Sequence, residues 1–269
     1  MKRFLQGCSA ALAVLLAGVL VLYSAQVEAF SSGERVKAGV EKDHFPFSFF
    51  SAKHKAIEGF NVELTRRICE HLKVRCAIVT LETDRLLEEL ENGNLSFAVA
   101  GFTQNPQVEE RIDFSRPYYE AHSILIAKDP EIVYLDADKL DSMNVGCKSF
   151  SVECGILDER LKEQKLEALT VYDNYERLFK GLYLDEVNAI YIDNLSGFSG
   201  MRHNFQRALY AMINSNTISE DSHPMYVGLP KNDPVLKEQI DEALNKVIRD
   251  GSLYKLSLDY FPYHNFITR

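Results

Sequence analysis

Polar side chains stand at the ends of several apolar stretches of this chain. Asp193 follows the apolar residues 189–192, and Gly101 and Thr103 follow a second apolar stretch. Ser151 precedes a predicted helix, whose N-terminal dipole favours a negatively charged group. A carboxylate, two hydroxyls and the open backbone of a glycine could together bind a small polar molecule. Structural roles are equally open, because Asp193 and Ser151 can cap helices and Gly101 and Thr103 can form a turn.

Motifs for catalysis are missing from the sequence. It contains no nucleophile motif, no H-E-x-x-H pair, no P-loop and no dinucleotide fingerprint. His44 and His54 flank one loop, but two loop histidines do not define a metal site. Glu41 and Asp193 are the candidates for an acid or base if the protein is an enzyme. We therefore expect a binding site rather than a catalytic one, with no metal and no cofactor.

Composition indicates an ordinary globular protein. The chain has 269 residues, of which 46% are hydrophobic and 26% charged, which suits one large or two modest domains. Its net charge is -9 at pH 7. Because this sign opposes non-specific attraction to phosphates, we expect no nucleic-acid partner.

Residues 1–29 have the features of a signal peptide. Lys2 and Arg3 form a basic start, residues 10–23 are apolar, and residues 27–29 form a small-x-small cleavage site. The apolar run is shorter than the ~20 residues that a membrane-spanning helix needs. We therefore expect cleavage after Ala29 and export, with an uncleaved anchor as the alternative.

Apolar periodicity predicts an α/β protein. Leu64, Ile68 and Leu72 recur every four residues, as on one face of a helix. Strands and helices alternate from residue 35 onwards, which is typical of mostly parallel sheets. The predicted strands are 35–40, 76–81, 95–100, 121–127, 144–147, 168–172, 189–192, 208–213 and 225–229, and residues 113–119 are predicted as a loop. The predicted helices are 61–72, one capped by Thr83 or Asp84, a short one after residue 103, 152–161, 174–182, one from 194, one from 234 to Gly251, and 252–260.

Residues 86–120 resemble a known protein family. They read as helix, Gly93, buried strand, turn and short helix, with the turn TQNPQV at 103–108 and the segment DFSRPYY at 113–119. This order and wording are similar to the family 3 solute-binding proteins, which capture polar amino acids for ABC importers. The similarity is closest to the branch that binds lysine, arginine and ornithine.

The resemblance implies a two-lobed periplasmic-binding fold of type II. Such a fold has two mostly parallel sheets flanked by helices and joined by a two-strand hinge. Lobe 1 would comprise residues 33–127 plus 224–269, and lobe 2 would be the insertion 128–223. No linker rich in Gly, Ser or Pro marks either crossing.

The resemblance also implies a ligand site. Asp193 would bind an α-ammonium group, Thr103 would contact an α-carboxylate, and Gly101 would allow close backbone approach. Ser151 would add a hydroxyl from the second lobe, although Phe150 replaces the glycine that usually precedes it. In the lysine-binding branch, the acidic residue at the position of Glu41 recognises the distal cation of the ligand. His44, beside Phe47, would cover one side of the ligand. Thr83 occupies the position of the aromatic residue that usually covers the other side, and Asn61 occupies the position of an aspartate. For Phe45 and Phe47, core packing is the alternative.

Position 108 departs from the family pattern. The turn usually has the form T-x-T-P-x-R, and its arginine clamps the carboxylate, but here the residue is Val108. Arg111, one helical turn further on, could replace the clamp or could pair with a surface acid such as Glu109 or Asp113. Three explanations stay open. The ligand lacks an α-carboxylate, Arg111 substitutes, or the protein no longer imports an amino acid.

Four cysteines remain after the predicted cleavage, and they allow three pairings. The lysine-binding branch carries a disulfide at the place of Cys69 and Cys76, which would join a helix to the next strand. Cys147 and Cys154 could form a second disulfide or stay free, and no zinc-binding spacing accompanies them.

The function implied by the resemblance is the substrate-binding component of an amino-acid ABC importer. We expect a periplasmic monomer that closes two lobes over a small polar solute and docks on a permease in the inner membrane. One alternative is a periplasmic enzyme of the same fold, similar to cyclohexadienyl dehydratases. Another is a sensing or partner-binding module with an altered cleft.

Overall fold

The computed structural model describes residues 29–133, 142–203, 209–212 and 222–261. Of the predicted signal peptide, only Ala29 falls within these ranges, and the predicted strand 208–213 falls within them only in part. Over the described ranges, no helix has the length and apolar character needed to span a membrane.

Strands and helices alternate along the described chain, which confirms the predicted α/β class. The strands are β1 (Arg35–Glu41), β2 (Phe49–Ser51), β3 (Ala56–Glu58), β4 (Arg75–Leu81), β5 (Phe97–Phe102), β6 (Asp113–Ala127), β7 (Asn144–Lys148), β8 (Ala168–Tyr172), β9 (Ala189–Asp193), β10 (Tyr210–Met212) and β11 (Ser222–Leu229). The helices are α1 (Phe60–Leu72), α2 (Thr83–Glu91), α3 (Pro106–Glu109), α4 (Pro130–Val133), α5 (Val152–Lys162), α6 (Tyr175–Tyr183), α7 (Asn194–His203), α8 (Pro234–Arg249) and α9 (Ser252–Tyr260).

Helix α8 shows how local sequence determines an element. The Asp233 side chain accepts a hydrogen bond from the backbone N–H of Leu236 at 2.9 Å, and Pro234 occupies the first turn. Both features favour a helix start. Leu236, Ile240 and Leu244 share one buried face. The predicted start and stripe of this helix are therefore confirmed.

The main sheet is mixed, and its strand order is β4-β1-β5-β11-β6-β9-β7-β8, with β10 added to β6. β1 runs parallel to β4 and β5, and β7 runs parallel to β8 and β9. β6 pairs antiparallel with β11 through residues 113–122 and with β9 through residues 123–127. It therefore belongs to two sheet halves. The first sheet half is β4, β1, β5, β11 and the start of β6; the second is the end of β6 with β9, β7, β8 and β10.

Hydrophobic clusters lie on both faces of each half. In the first sheet half, α1, α8 and α9 pack on one face, and the leucines of α2 pack with residues of β5 and α3 on the other. In the second, α5 covers one face and α6 the other. This layering is typical of α/β folds.

The prediction of a loop at residues 113–119 is wrong. These residues form the first part of β6, and their partner strand β11 lies far along the chain. Pro117 lies opposite Tyr226, where the register between the strands shifts. An irregular position of this kind tolerates a residue without an N–H donor. Because the partner strand is distant in sequence, local composition could not reveal the pairing.

Two disulfides join helices to strands. Cys69 of α1 pairs with Cys76 of β4, as predicted, and Cys147 of β7 pairs with Cys154 of α5. Each bridge spans a sequence separation of 7 residues. The second bridge closes the turn that leads from β7 into α5.

We predict that the two bridges contribute similar stability but different local order. Changing Cys147 and Cys154 to Ser should lower the free energy of unfolding by about 2–3 kcal/mol, because a short closed loop is released in the unfolded chain. The matched control, Cys69 and Cys76 to Ser, should cost a similar amount in urea unfolding. Only the first variant should speed amide hydrogen exchange at residues 148–153. Equal exchange in both variants would contradict a local role for the second bridge.

Candidate functional site

A small cavity lies where the two sheet halves face each other. Its polar residues stand at or just after the carboxyl ends of strands: Glu41 ends β1, Thr83 follows β4, Thr103 follows β5, Lys148 ends β7 and Asp193 ends β9. In open α/β sheets this edge is where ligands bind. The cavity volume is about 30 Å³, little more than a water molecule needs. A solute of amino-acid size can enter only if the halves separate.

A buried ion pair joins the halves inside this cavity. Lys148 Nζ lies 2.9 Å from Glu41 Oε1 and donates to Thr83 Oγ1 at 2.8 Å. The Thr83 hydroxyl in turn donates to Glu41 Oε1 at 2.6 Å. Glu41 is 2% exposed and Lys148 5% exposed. Lys148 thus extends from the second sheet half to bind two side chains of the first.

The same network explains why Thr83 does not cap α2. Glu82 occupies the cap position of α2 without a side-chain hydrogen bond, and Thr83 is the first helical residue. The predicted cap at Thr83 or Asp84 is therefore wrong. The Thr83 hydroxyl contacts the ion pair instead.

Glu41 remains ionised in this setting. Burial raises the pKa of Glu41, but the charge of Lys148 and the hydrogen bond from His44 outweigh it and lower that pKa to about 2. The cavity therefore contains an ionised carboxylate beside the ammonium of Lys148.

His44 forms a second connection between the halves. Its Nδ1 lies 2.9 Å from Glu41 Oε2, and its Nε2 lies 2.9 Å from Ser196 Oγ. The ring stacks on Tyr175 with a centroid distance of 3.9 Å. The sequence interpretation treated the aromatic cover as half lost because of Thr83. In the structure, the ring opposite His44 belongs to Tyr175 of the second sheet half.

Asp193 and Glu153 form an acidic pair on the second sheet half. Asp193 Oδ1 accepts a hydrogen bond from the Ser196 N–H at 2.9 Å, as a helix cap does, and its other oxygen lies 3.5 Å from the Tyr175 hydroxyl. Glu153 accepts a hydrogen bond from Ser123 Oγ at 2.8 Å. Burial and the charge of Asp193 raise the pKa of Glu153 to about 7. Asp193 therefore combines the cap role with a place in the cavity wall.

Three further predicted residues line the cavity: Gly101, Thr103 and Ser151. Gly101 has φ 67, a left-handed conformation that favours glycine, and a side chain there would meet Met225. Ser151 caps α5 by accepting a hydrogen bond from the Cys154 N–H at 3.2 Å. As at Asp193, the structural and cavity roles coincide.

Val108 and Arg111 both lie outside the cavity wall. Val108 is fully buried in a hydrophobic cluster with residues such as Leu87, so this position faces the core rather than the cavity. Arg111 pairs with Glu91 at 2.5 Å, not with the expected Glu109 or Asp113. Arg111 therefore does not lie where an arginine would have to lie to bind the ligand's carboxylate in place of residue 108.

Phe47 and Asn61 were also predicted for the site, and the structure places both elsewhere. Phe47 packs in the core against Phe60 and Phe261, which confirms the alternative of core packing. Asn61 is fully buried in the first turn of α1. Neither residue lines the cavity.

Phe150 adopts the backbone of the glycine that it replaces. Its φ is 62, in the left-handed region where bulky residues are uncommon. Its side chain packs against the cluster that contains Val108, and its carbonyl accepts a hydrogen bond from Asn105 Nδ2 at 3.1 Å. The two departures from the family pattern thus meet in one apolar contact between the halves.

Sequence reasoning missed Lys148, Glu153 and Tyr175. Lys148 follows the predicted strand 144–147, Glu153 resembles an ordinary acid in the first turn of a helix, and Tyr175 opens a helix after β8. Their positions could have indicated a role in the site, because all three lie at or after the carboxyl ends of parallel strands.

A larger groove lies on the outer side of the His44–Tyr175 stack. Its volume is about 720 Å³, and it runs between residues 43–53 and helices α6 and α7. The groove is lined by aromatic rings and by four exposed charged residues, Asp43, Lys53, Glu176 and Lys180. Its charges are exposed to solvent, whereas those of the cavity are buried.

The cavity has an excess of negative charge. Glu41, Glu153 and Asp193 face a single ammonium, that of Lys148, among the residues lining it. Within the described ranges, His, Cys, Asp and Glu side chains form no group of three that could hold a metal ion. The imidazole of His223 also lines the cavity, and Glu153 is ionised only above about pH 7. Asp193 thus has no lysine or arginine partner among the lining residues, which suits a solute that carries an ammonium group.

Comparison with known proteins agrees with the fold. A sequence model described as "bacterial extracellular solute-binding proteins, family 3" matches residues 36–263. The ABC transporter arginine-binding protein 1 of Escherichia coli (strain K12) is 23% identical over 240 residues, covering 86% of this chain and 93% of that protein. The lysine/arginine/ornithine-binding periplasmic protein of the same organism is 23% identical over 254 residues, covering 93% and 97%. An ancestral arginine-binding protein bound to arginine has a TM-score of 0.76 and 22% identity, covering 86% of this chain and 100% of that chain. These matches confirm the predicted two-lobed fold of type II.

The acidic pair predicts a specific dependence of stability on pH. The folded chain keeps a proton on Glu153 up to about pH 7, whereas the ordinary pKa is 4.5. Because the folded state binds the proton more tightly, stability should fall as pH rises from 4.5 to 7, by on the order of 3 kcal/mol from this group. Urea unfolding of Glu153→Gln should lack this decline. Glu159→Gln, an exposed change on the same helix, is the control, and an unchanged profile in Glu153→Gln would contradict the prediction.

Proposed function

Because this chain belongs to the family 3 bacterial extracellular solute-binding proteins, we propose that it captures a small solute with an ammonium group and delivers it to an ABC permease in the inner membrane. It acts as the substrate-binding component of an amino-acid-type importer. The proposal includes cleavage of residues 1–29, release into the periplasm and action as a monomer.

The charge of the cavity is the observation that carries this proposal. Two buried carboxylates, Glu41 and Asp193, and a third once Glu153 loses its proton near pH 7, stand against one buried ammonium. A buried charge is costly unless it is paired, so the residual negative charge favours a cationic guest. Asp193 and Glu153 are the available acids, because Glu41 already binds Lys148.

Capture requires a hinge, which we assign to β6, the strand that enters both halves. We propose lobes near the predicted bounds, residues 33–127 plus 224–269, and 128–223, but we place the first crossing between His122 and Ser123 because residues 123–127 pair with β9. β6 changes partner between His122 and Ser123, which supports rotation near this point. Opening exposes the carboxyl ends of the strands, and closure adds Ser151 and Asp193 to the contacts from lobe 1.

The solute differs from that of the arginine-binding relatives. Position 108 supplies no cation for an α-carboxylate, and Arg111 is engaged by Glu91. Of the three explanations left open by the sequence, we favour a solute without an α-carboxylate. The structure adds an alternative, a solute whose carboxylate is held by hydroxyl and backbone groups. Thr103, Ser151 and the backbone at Gly101 are the groups available.

One observation favours a second candidate function, a lyase of the dehydratase type. Glu153, with its pKa raised to about 7, could donate a proton as a general acid. An anionic substrate such as prephenate would, however, meet three carboxylates in the cavity. Turnover of prephenate or arogenate would support this candidate, and a sensing role would be supported if no solute binds.

We predict that Asp193 is the main ammonium partner. In a thermal-shift screen of the mature protein against amines, amino acids, opines and small peptides, Asp193→Asn should abolish stabilisation by the best ammonium-bearing solute. The lost charge-assisted bond is worth ~1.5–3 kcal/mol, or roughly 10- to 100-fold in affinity. Asp158→Asn, an exposed change, should behave as the wild type. Full binding by Asp193→Asn would refute the assignment.

Affinity for the same solute should rise between pH 6 and pH 8. A cation favours ionised Glu153, so binding releases its proton and is easier once that proton is lost. Isothermal titration in buffers of different ionisation heat would measure the release. A pH-independent affinity would contradict this part of the proposal.

A further inference from the structure

Lys148 is held in the way that a bound ligand would be held. Its ammonium contacts a carboxylate oxygen of Glu41 at 2.9 Å, the hydroxyl of Thr83 at 2.8 Å and the Ser149 carbonyl at 3.3 Å. It also lies 5.4 Å from the ring centroid of Tyr175, within the range of a cation–π contact. Except for the Ser149 carbonyl and Tyr175, these partners come from the opposite sheet half.

The side chain of Lys148 also occupies space in the cavity. Lys148 and Glu41 both line it, and together with their neighbours they leave about 30 Å³. A free solute with a second cationic group would need a carboxylate for that group. Glu41 is the acid facing Thr83 and Lys148, and it is already neutralised.

We propose that Lys148 is a built-in cationic ligand that determines the specificity of the cavity. By occupying Glu41, it excludes solutes with two cationic groups, such as free lysine or arginine. It leaves Asp193 and Glu153 to recognise a single ammonium group. This specificity rests on the proposed function, whereas the occupation of Glu41 by a tethered ammonium does not.

Chemical rescue tests the occupation directly. Lys148→Ala removes three carbons and the ammonium, which together correspond to n-propylamine. We expect the variant to melt roughly 10 °C lower than the wild type, because a buried carboxylate loses its partner. Propylamine should restore at least half of that loss, with methylamine and hexylamine less effective and propanol ineffective. Wild type and Lys165→Ala, which changes an exposed lysine paired with Glu163, should not respond.

A second set of variants keeps the test decisive if Lys148→Ala does not fold. Lys148→Met preserves volume and leaves Glu41 unpaired, so it should be destabilised and should not respond to propylamine. Adding Glu41→Gln removes the buried charge and should recover most of the lost stability. If the double variant is no more stable than Lys148→Met, the proposed pairing is wrong. If Lys148→Ala folds but alkylamines stabilise it no more than the wild type, the proposal is also wrong.

The specificity claim has its own measurement. L-lysine should bind Lys148→Ala roughly tenfold or more tightly than the wild type, since Glu41 becomes available for a second ammonium. Equal affinity would overturn the claim even if propylamine rescue succeeds. If propylamine rescues Lys148→Ala but no solute binds the wild type, the proposed function is refuted. The occupation of Glu41 by the tethered ammonium would still be supported.

Discussion

One buried ion pair, Glu41 with Lys148, connects the two sheet halves where the carboxyl ends of their strands meet. Removing two charges from water is costly, so such a pair is favourable only when further hydrogen bonds complete it. Here the Thr83 hydroxyl donates to the carboxylate, His44 Nδ1 lies 2.9 Å from its other oxygen, and the Ser149 carbonyl accepts from the ammonium. The Thr83 hydroxyl, His44 Nδ1 and the Lys148 side chain that fills the cavity are all parts of this contact. A misaligned approach of the halves would leave both charges buried and unpaired.

Much of the fold and part of the site could be predicted from the sequence. Apolar periodicity located most strands and helices, and the rule that ligands meet carboxyl ends of strands fits Glu41, Thr103 and Asp193. Lys148 could not be found in this way, because its meaning depends on a partner in the other sheet half. Glu153 was hidden for a similar reason, since only the folded chain places it beside Asp193. Long-range pairing, which also produced the unexpected start of β6, is the information that local patterns lack.

Position 108 illustrates a partial success. The sequence has valine where the family pattern has arginine, and it left three explanations open. In the structure Val108 is a core residue, and Phe150 from the other half packs against the same cluster. Phe150 accepts a left-handed backbone to do so. An apolar contact between the halves therefore stands where the family pattern suggests charge, and the cation of the cavity comes from Lys148 instead.

The disulfide between Cys147 and Cys154 encloses Lys148, Phe150, Ser151 and Glu153 within one short covalent ring. The shape of this turn is therefore maintained by a covalent bond in addition to the Ser151 cap. The bond supports the backbone when one of the displayed side chains changes. Selection, or a protein engineer, could thus exchange the recognition groups of this lobe one at a time and obtain new ligand preferences on an unchanged scaffold.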